Sequence, residues 1–324
     1  MLKYVNFAVK LQINAHDLNN EAVAGNVTDI RVMEFIDENG NKVEAPAVSG
    51  RMLKHWHYEA MRKLIISGPF SSLPLCMGCR VGEPIRPGEK SQDNTIVQVA
   101  KSEEEAIKNC SICDIHGYLI AQDAKGDQKG ISSRRTSRAM FSWLLPVLEI
   151  ENTQKQVLHT RVSQQESISQ EELKESKQSA QMIFSKSYAS GIYAFVSALD
   201  VDRVGLVEMM LGSENPYPIN DDERRERIKL AIEAYRLMFS GQIGASLSHA
   251  LPHTNPIEIL VGYSETSPLP FPVSPIYSDY IEKTVNSAPF GSKILYWGDK
   301  SPSNVMKKTT INEIFDELLS KTQK

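Results

Sequence analysis

Polar and apolar residues alternate along residues 3–13, and this alternation is the first pattern in the chain. The apolar positions are Val5, Phe7, Val9 and Leu11. A period of two residues is typical of a β-strand that buries one face, so the segment predicts a strand. Residues 14–27 are polar and predict a loop. Residues 28–49 predict a second strand, an Asn-Gly turn and a short extended return.

A helical period begins near residue 50. At about 100° per residue, one face of this segment carries Leu53, Trp56, Ala60 and Leu64. Ser49 is a good N-cap, and we predict a helix that runs from it to about Ile66. The other side of this helix carries a stripe in which three of five residues are permanent cations, namely Arg51, Lys54, His55, Tyr58 and Arg62.

The middle of the chain has no long period. Residues 67–130 are rich in proline, glycine and charge, so we expect them to build little core of their own. Residues 131–150 predict a basic entry into an apolar strand. Residues 151–180 are polar and low in hydrophobic residues, which predicts a flexible segment.

Clear periods return in the C-terminal part. Residues 181–201 predict a long strand, and residues 221–239 predict the clearest amphipathic helix of the chain. The segments "IEILVGYS" and "SKILYWG" predict strands, and "TTINEIFDELLSK" predicts a closing helix. Because strands and helices are interleaved with hairpin-like pairings and one long insertion, the pattern indicates an α+β fold, a sheet covered on one face by helices.

The composition narrows the function classes. The 324 residues are 41% hydrophobic and 23% charged, which is typical of a globular protein with a real core. No apolar run approaches the roughly 18 residues of a membrane span, and the N-terminus has the pattern of a strand rather than a signal peptide, so we expect a cytoplasmic protein without membrane contacts. The net charge of -4 argues against a generic nucleic-acid binder, which leaves room only for a local basic surface.

All four cysteines lie in two C-x-x-C pairs, Cys76 with Cys79 and Cys110 with Cys113. Two such turns can direct four thiolates at one ion, so the spacing predicts a structural four-cysteine Zn²⁺ site. Two disulfides or two redox pairs are the alternatives. A cytosolic setting disfavours disulfides, and no thioredoxin-like βαβ pattern supports redox pairs. His116 is an alternative ligand.

Three basic groups are candidate anion sites. The first is the start of the predicted helix, where Gly50 exposes backbone N–H groups and Arg51 and Lys54 follow, although a solvated helix face is the alternative. The second is "SSRRTSR", whose arginines can form bidentate bonds with phosphate, although in a strand Arg134 and Arg138 point away from Arg135. The third is the polar segment with His159 and Arg161. No P-loop, dinucleotide fingerprint, nucleophile elbow or H-E-x-x-H motif indicates an enzyme.

Four longer motifs occur in a fixed order along the chain. They are "INAHDLNN" after the first strand, "PAVSGRMLKHWH", "RRTSRAMFSWLLP" and "LVGYSETSPLPFP". Together they resemble the backbone subunit of the CRISPR interference complex called Cascade, a member of the RAMP superfamily, most nearly its archaeal type I-A form. The resemblance covers most of the chain and is weakest over residues 66–130 and 150–185.

This resemblance implies a fold and a function. The fold is a modified RRM (ferredoxin-like) palm formed by residues 1–66, 131–150 and 185–324. A lid or finger region with the four cysteines is inserted at 67–130, and a thumb hairpin lies at 151–184. Such a subunit binds the guide RNA (crRNA), forms a filament with copies of itself along the spacer, contacts other Cascade subunits and presents the guide to target DNA. It is not an enzyme.

The resemblance also assigns residues. It implies that Ser49, Arg51 and Lys54 contact the guide-RNA backbone in the palm, and that His159 binds RNA in the thumb. With the basic groups above and the motif that follows the first strand, the RNA-binding candidates are Asn14, His16, Ser49, Gly50, Arg51, Lys54, His55, Arg134, Arg135, Arg138, His159 and Arg161.

Two other functions stay open from the sequence alone. Related backbone subunits of type III complexes cut target RNA with an acidic loop residue, and Asp17, Asp29 or Glu34 could have that role here. A zinc-bearing protein-interaction module is the second alternative. Metal-dependent cleavage of paired RNA would favour the first, and a lack of RNA affinity would favour the second.

Overall fold

The computed structural model describes residues 1–14, 20–24, 27–83, 85–99, 102–122, 131–148, 153–162, 181–239 and 254–323. The helices in these ranges are α1 (Gly50–Ile66), α2 (Met77–Val81), α3 (Glu103–Asn109), α4 (Ser111–His116), α5 (Asp221–Phe239), α6 (Tyr280–Ser287) and α7 (Ile311–Ser320). The N-terminal strands are β1 (Tyr4–Asn14), β2 (Asn20–Ala24), β3 (Val27–Ile30), β4 (Val32–Ile36), β5 (Lys42–Pro46), β6 (Gly88–Lys90), β7 (Ile96–Gln98) and β8 (Tyr118–Gln122). The others are β9 (Ile131–Arg135), β10 (Ala139–Phe141), β11 (Leu145–Pro146), β12 (Thr153–Val162), β13 (Gln181–Asp200), β14 (Thr254–Ser264), β15 (Lys293–Trp297) and β16 (Met306–Lys307). None of these helices is both long and apolar enough to cross a membrane.

Strand β1 lies at the centre of the largest sheet. It pairs antiparallel with β13 on one edge and with β14 on the other. The strand order is β16-β15-β14-β1-β13-β3-β2, and β10, β11 and β12 pair in succession with the opposite edge of β13. Because β3 and β16 join their neighbours in parallel, the sheet is mixed, and the predicted α+β class is confirmed.

The strongly periodic segments fold as the sequence predicts. The first strand, the helix capped by Ser49, the long strand β13 and the amphipathic helix α5 all form where expected. The hairpin β4-β5 turns at the predicted Asn-Gly pair, where Gly40 has a φ of 82°, a conformation that glycine adopts without strain. The predicted loop at 14–27 differs, because it contains β2 and the start of β3.

The main core lies between the sheet and a group of helices that includes α1, α5 and α7. Val5, Phe7 and Val9 of β1 are fully buried on this side. The ring of Phe7 lies 4.3 Å from that of Tyr235 in α5 and 6.4 Å from that of Phe315 in α7. A smaller apolar cluster forms on the opposite face, where Tyr280 and Ile281 of α6 pack near Ala8, so helices cover part of both faces rather than one.

Residues 67–130 contain more structure than the sequence predicts. The described part holds α2, α3, α4 and the hairpin β6-β7. All six residues of α4 are buried, and Ile112 and Ile115 belong to the main core. The expectation that this region builds little core is therefore wrong. The reason is that helices of five to seven residues are too short to show a helical period in the sequence.

A buried ion cluster joins this region to the end of β9 and to α5. The Asp114 carboxylate in α4 accepts hydrogen bonds from Arg135 and from Arg227, the latter at 2.9 Å, and all three side chains are completely buried. The Gly205 N–H also donates to it at 3.0 Å. Burial alone would raise the pKa of Asp114, but the two arginines hold it below its ordinary value, so the carboxylate stays charged.

Replacement of Asp114 by asparagine is expected to destabilise the protein strongly. The substitution removes the one buried negative charge that both guanidinium groups share, and loss of one member of such a group lowers the free energy of unfolding by about 3 kcal/mol or more. Urea denaturation followed by circular dichroism measures the change. Glu104→Gln is the control, because Glu104 pairs with Lys108 at the surface and its loss changes stability by less than about 1 kcal/mol. Equal effects of both substitutions would contradict this account of the cluster.

Candidate nucleic-acid interface and metal centre

The four cysteines come together at the start of two short helices. Cys76 precedes α2 and Cys110 precedes α4, while Cys79 and Cys113 lie inside these helices. Their Sγ atoms all lie within 4.8 Å of one another, and all four thiols are free. The two C-x-x-C turns therefore form one cluster of four thiols, as the four-cysteine prediction requires.

The cluster has the dimensions of a tetrahedral metal site. The Sγ of Cys113 lies 3.8 Å from that of Cys76 and 4.0 Å from that of Cys79. Four sulfurs around Zn²⁺ at about 2.3 Å would be separated by about 3.8 Å, so the four residues can hold such an ion. Hydrogen bonds from the Cys110, Cys113 and Cys79 thiols, together with one from the Gly88 N–H, lower the pKa of the Cys76 thiol and favour a thiolate.

His116 is engaged elsewhere. Its Nε2 atom lies 2.9 Å from Nδ1 of His57, a completely buried residue of α1 whose Nε2 donates to the Ala231 carbonyl at 3.0 Å. Burial lowers the pKa of His57 to about 4, so this ring is neutral at pH 7. The alternative in which His116 replaces a cysteine ligand has no support from this geometry. No sequence pattern indicated the His57–His116 pair, because neither ring was expected in the interior.

The chain passes very close to itself beside the first pair of cysteines. A Cβ atom on Gly78 would lie 2.0 Å from the Ile85 carbonyl oxygen, and one on Gly88 would lie 2.9 Å from the Cα of Gly78. Only glycine allows this approach. As a result, the segment from Ile85 to Gly88 lies directly against the turn that carries Cys76 and Cys79.

The second part of the candidate site is the start of α1. Ser49 is buried and caps the helix by accepting the Met52 N–H, as the sequence predicts. Gly50 allows a close approach to β10, since a Cβ there would lie 2.6 Å from the Phe141 carbonyl oxygen. Arg51 and His55 are exposed, and Lys54 is partly buried. The predicted cationic side of the helix is thus present at its first two turns.

These cations have no acidic partner in the part of the chain that the structure describes. The ion pair on this helix joins Arg62 to Glu59 at 3.1 Å, further along, and no carboxylate pairs with Arg51, Lys54 or His55. Burial and the nearby Arg86 lower the pKa of Lys54 to about 8. An anion bound here would therefore meet positive charge that no internal carboxylate neutralises.

Tyr58 and Arg86 complete the surroundings of Lys54. Tyr58 belongs to the predicted cationic stripe, but it is buried, and its hydroxyl donates to the Cys79 carbonyl at 3.2 Å. The Arg86 guanidinium carbon lies 5.3 Å from the centre of the Tyr58 ring. The centre of the His55 ring lies 5.7 Å from the centre of the same Tyr58 ring. The sequence gives no signal for Arg86, because it lies in the irregular region and only the folded chain brings it to α1.

The structure separates the three arginines of "SSRRTSR". Arg134 is exposed, whereas Arg135 and Arg138 are buried. Arg135 binds Asp114 and Glu103, and Arg138 lies 2.7 Å from Glu208. The opposite orientation of Arg134 and Arg135 follows the predicted strand alternation, but β9 ends at Arg135, so Arg138 does not continue it. Two of the three arginines therefore form ion pairs inside the protein. They do not contribute to a phosphate-binding surface.

Three of the other RNA-binding candidates lie at the end of β1 and in strand β12. Asn14 ends β1 opposite Ser190, and His159 lies opposite Phe184 and Arg161 opposite Met182 in the β12-β13 pairing, where the structure describes the backbone. His16 lies outside the described residues.

The three acidic residues of the nuclease alternative lie in different surroundings. Asp17 is outside the described residues, and Asp29 lies in β3, where the backbone alone is described. Glu34 pairs with Lys42 across the β4-β5 hairpin at 2.7 Å.

Comparison with known proteins identifies the family. The family model described as "CRISPR-associated negative auto-regulator DevR/Csa2" matches residues 7–285. The chain belongs to the DevR/Csa2 family. The resemblance inferred from the four ordered motifs is confirmed, and it extends through the region where the motifs are weakest.

Relatives of this DevR/Csa2 member are archaeal. The chain is 30% identical to the "CRISPR-associated protein Cas7/Cst2/DevR" of Methanocaldococcus jannaschii, with 98% of each chain covered. It is 29% identical to the protein of that description from Thermoproteus tenax, over 98% of this chain and 94% of the relative. It is 25% identical to "CRISPR-associated protein Cas7/Csa2 1" of Saccharolobus solfataricus, over 90% and 89%.

Solved structures share the fold of this family member. A chain of a structure described as "CRISPR RNA-guided surveillance complex, pre-nicking" matches with a TM-score of 0.57 at 10% identity, covering 98% of this chain and 99% of that one. A chain of a second "CRISPR RNA-guided surveillance complex" matches with a TM-score of 0.53 at 11% identity. At this level of identity the likeness concerns the fold, which is a mixed α+β arrangement in both.

Proposed function

We propose that this DevR/Csa2 family member is the crRNA-binding backbone subunit of a Cascade-type complex, and that it holds the guide without cutting nucleic acid. The observation that carries the proposal is the cationic group of Arg51 and Lys54 at the start of α1, beside the exposed His55, for which the described residues provide no paired carboxylate. Phosphate oxygens are the natural partners of cations that have no internal carboxylate. Family membership and the titles of the solved relatives support the choice of a guide RNA as the anion.

The proposed RNA surface is smaller than the set of sequence candidates. It keeps Arg51, Lys54 and His55 on α1 and Arg134 on β9, which are at least partly exposed. Asn14, His16, His159 and Arg161 stay in the proposal on the strength of the family resemblance. Arg135 and Arg138 leave it because carboxylates already bind them, and Ser49 and Gly50 have their role in the cap and the packing of α1.

The strand order supports an RRM-like palm. Strands β14, β1 and β13, followed by β10 and β11, are adjacent in that order, and helices α1 and α5 provide the two crossovers. This βαββαβ arrangement is the ferredoxin-like one. We therefore propose that residues 1–66, 131–150 and 185–324 form the palm, with the lid or finger region at 67–130.

The hairpin of β12 and the first half of β13 supports a thumb at residues 151–184. Strand β13 leaves β1 at Ser190 and continues to Gln181 while paired with β12. A hairpin that extends past the end of β1 is suited to contact RNA and a neighbouring copy of the chain. In this proposal such contacts build the filament along the guide, which pairs with target DNA, and other Cascade subunits bind its ends.

The proposal for the four-cysteine cluster is a structural Zn²⁺ ion. Four sulfurs at tetrahedral spacing leave no ligand position open, so the ion would hold α2 against α4 rather than act on a substrate. No contact of Glu34 favours nuclease chemistry, because this carboxylate is paired with Lys42.

Loss of the cation at Lys54 is expected to weaken RNA binding without regard to sequence. Lys54→Ala removes a phosphate contact, so affinity for unrelated single-stranded RNAs falls alike and the salt slope of binding decreases by roughly 0.7. Fluorescence anisotropy across a salt series measures both effects. Lys63→Ala removes the same charge from the exposed far end of α1 and serves as the control. If Lys63→Ala and Lys54→Ala have the same effect, the site is not at the start of the helix.

Purified, reduced protein is expected to contain about one Zn²⁺ per chain. Cys76→Ser removes one sulfur ligand and should lower the metal content and loosen the inserted region, while the sheet stays folded. Met77→Ser changes the next residue and keeps all four thiols, so it should retain the metal. Elemental analysis measures the metal, and an absence of metal from the wild-type protein would contradict the proposal.

Shortening of the hairpin is expected to reduce assembly more than binding. Thr160 and Ile183 are paired, so an Asn-Gly turn can join them and replace residues 161–182 while β3 keeps its partners at Ser185 and Lys186. The melting temperature should change little, and the affinity for a short RNA should fall somewhat because Arg161 is removed. Cooperative binding to a long RNA should fall strongly, because each copy loses its contact with the next. Unchanged cooperativity would show that this hairpin is not a thumb.

A further inference from the structure

The guanidinium group of Arg86 lies against α1, although no sequence motif indicates this position. It lies in the segment between α2 and β6, and its guanidinium carbon is 5.3 Å from the centre of the Tyr58 ring. The Nη1 atom of Arg86 is buried and has no hydrogen-bond partner among the described residues. A buried guanidinium N–H without an acceptor is costly, and an anion that reached this atom would remove that cost.

Lys54 lies one helical turn before Tyr58, the residue against which Arg86 packs. The proximity of Arg86 contributes to the lowered pKa of Lys54, after burial. No carboxylate among the described residues forms an ion pair with either side chain, and the neighbouring Glu59 is paired with Arg62. Two neighbouring cations repel each other, and an anion bound by both would relieve this repulsion. A phosphate oxygen fits, because a guanidinium and an ammonium together offer several donors to it.

The cysteine cluster fixes the position of Arg86. The Gly88 N–H, two residues further on, donates to Sγ of Cys76. The Ile85 carbonyl, one residue before, contacts Gly78 in the turn between Cys76 and Cys79. Tyr58, on which Arg86 lies, donates its hydroxyl to the Cys79 carbonyl. Both sides of Arg86 are therefore held by the same C-x-x-C turn, whose own geometry depends on what the four sulfurs bind.

We propose that Lys54 and Arg86 form a single phosphate-binding pair for the guide RNA, and that metal bound at the four cysteines positions Arg86, so that RNA affinity depends on metal loading. This inference rests on the proposed RNA-binding function. It gives the inserted region a direct part in RNA binding, whereas a purely structural zinc site would leave RNA affinity unaffected as long as the sheet is folded.

The first experiment tests Arg86 itself. Arg86→Ala should weaken binding of a labelled single-stranded RNA of arbitrary sequence by about tenfold and decrease the salt slope by roughly 0.7. Lys108→Ala is the control, because it removes one cation from the same region that is already paired with Glu104. In a double-mutant cycle, Lys54→Ala and Arg86→Ala together should weaken binding by less than the product of their separate effects, as expected for one shared phosphate.

The second experiment tests the link to the metal. Chelation of metal from the reduced wild-type protein should lower RNA affinity to the level of Arg86→Ala, and chelation of Arg86→Ala should cause no further loss. Circular dichroism reports whether the sheet stays folded. If it does not, Gly88→Ala replaces this arm, since its Cβ would lie 2.7 Å from the Ile85 carbonyl oxygen and must displace the segment while the four thiols remain. This variant should keep its metal and lose the same affinity as Arg86→Ala.

The outcomes separate this inference from the proposed function. If Lys54→Ala weakens RNA binding and Arg86→Ala does not, the phosphate pair is overturned and the function stands. If chelation lowers affinity equally in wild-type protein and in Arg86→Ala, metal does not act through Arg86, and that part of the inference is overturned. If the wild-type protein binds no RNA under any salt condition, the proposed function fails and the inference fails with it.

Discussion

The buried carboxylate of Asp114 is the interaction on which the arrangement of this protein depends. It joins three parts of the chain that are far apart in sequence, because its partners are Arg135 after the inserted region and Arg227 in the long helix α5. A charge in the interior is tolerated only when such partners surround it, so the three segments must meet in one geometry. Asp114 also follows Cys113 directly. The short helix α4 therefore carries Asp114 of the ion cluster and Cys113 of the cysteine cluster, with Cys110 as its N-cap, and the position of one cluster restricts the other.

The distribution of basic residues makes the proposed RNA-binding role compatible with a net charge of -4. Several of its cations lie inside, where they neutralise buried acids and contribute nothing to the outer field. The start of α1 is different, since no carboxylate among the described residues forms an ion pair with its cations. The net charge counts both the paired and the unpaired cations, whereas binding of an anion depends on the unpaired cations. A locally positive surface on an acidic protein follows from this separation.

The sequence predicted the long elements well and the short ones poorly. Strands β1 and β13 and helices α1 and α5 have enough residues to show their period, and Ser49 marked a helix start that the structure confirms. The cysteine cluster was also predictable, because two C-x-x-C turns restrict the thiols to a few geometries. The roles of Arg135 and Arg138 were not, since a sequence shows that a residue is charged but not which carboxylate lies opposite. Arg86 was missed for the converse reason, because only the folded inserted region brings it to α1.

Strand β13 has a mechanical consequence. Its 20 residues correspond to a length of about 60 Å at the rise of a β-strand, and one half is central in the sheet while the other half forms the hairpin with β12. No loop separates the two halves. The hairpin is therefore a rigid extension of the main sheet. Its direction follows the twist of that sheet, because no hinge interrupts β13. A force applied to the paired strands β12 and β13 is transmitted through continuous backbone hydrogen bonds to β1, so a molecule bound to these strands would be mechanically connected to the core of the protein.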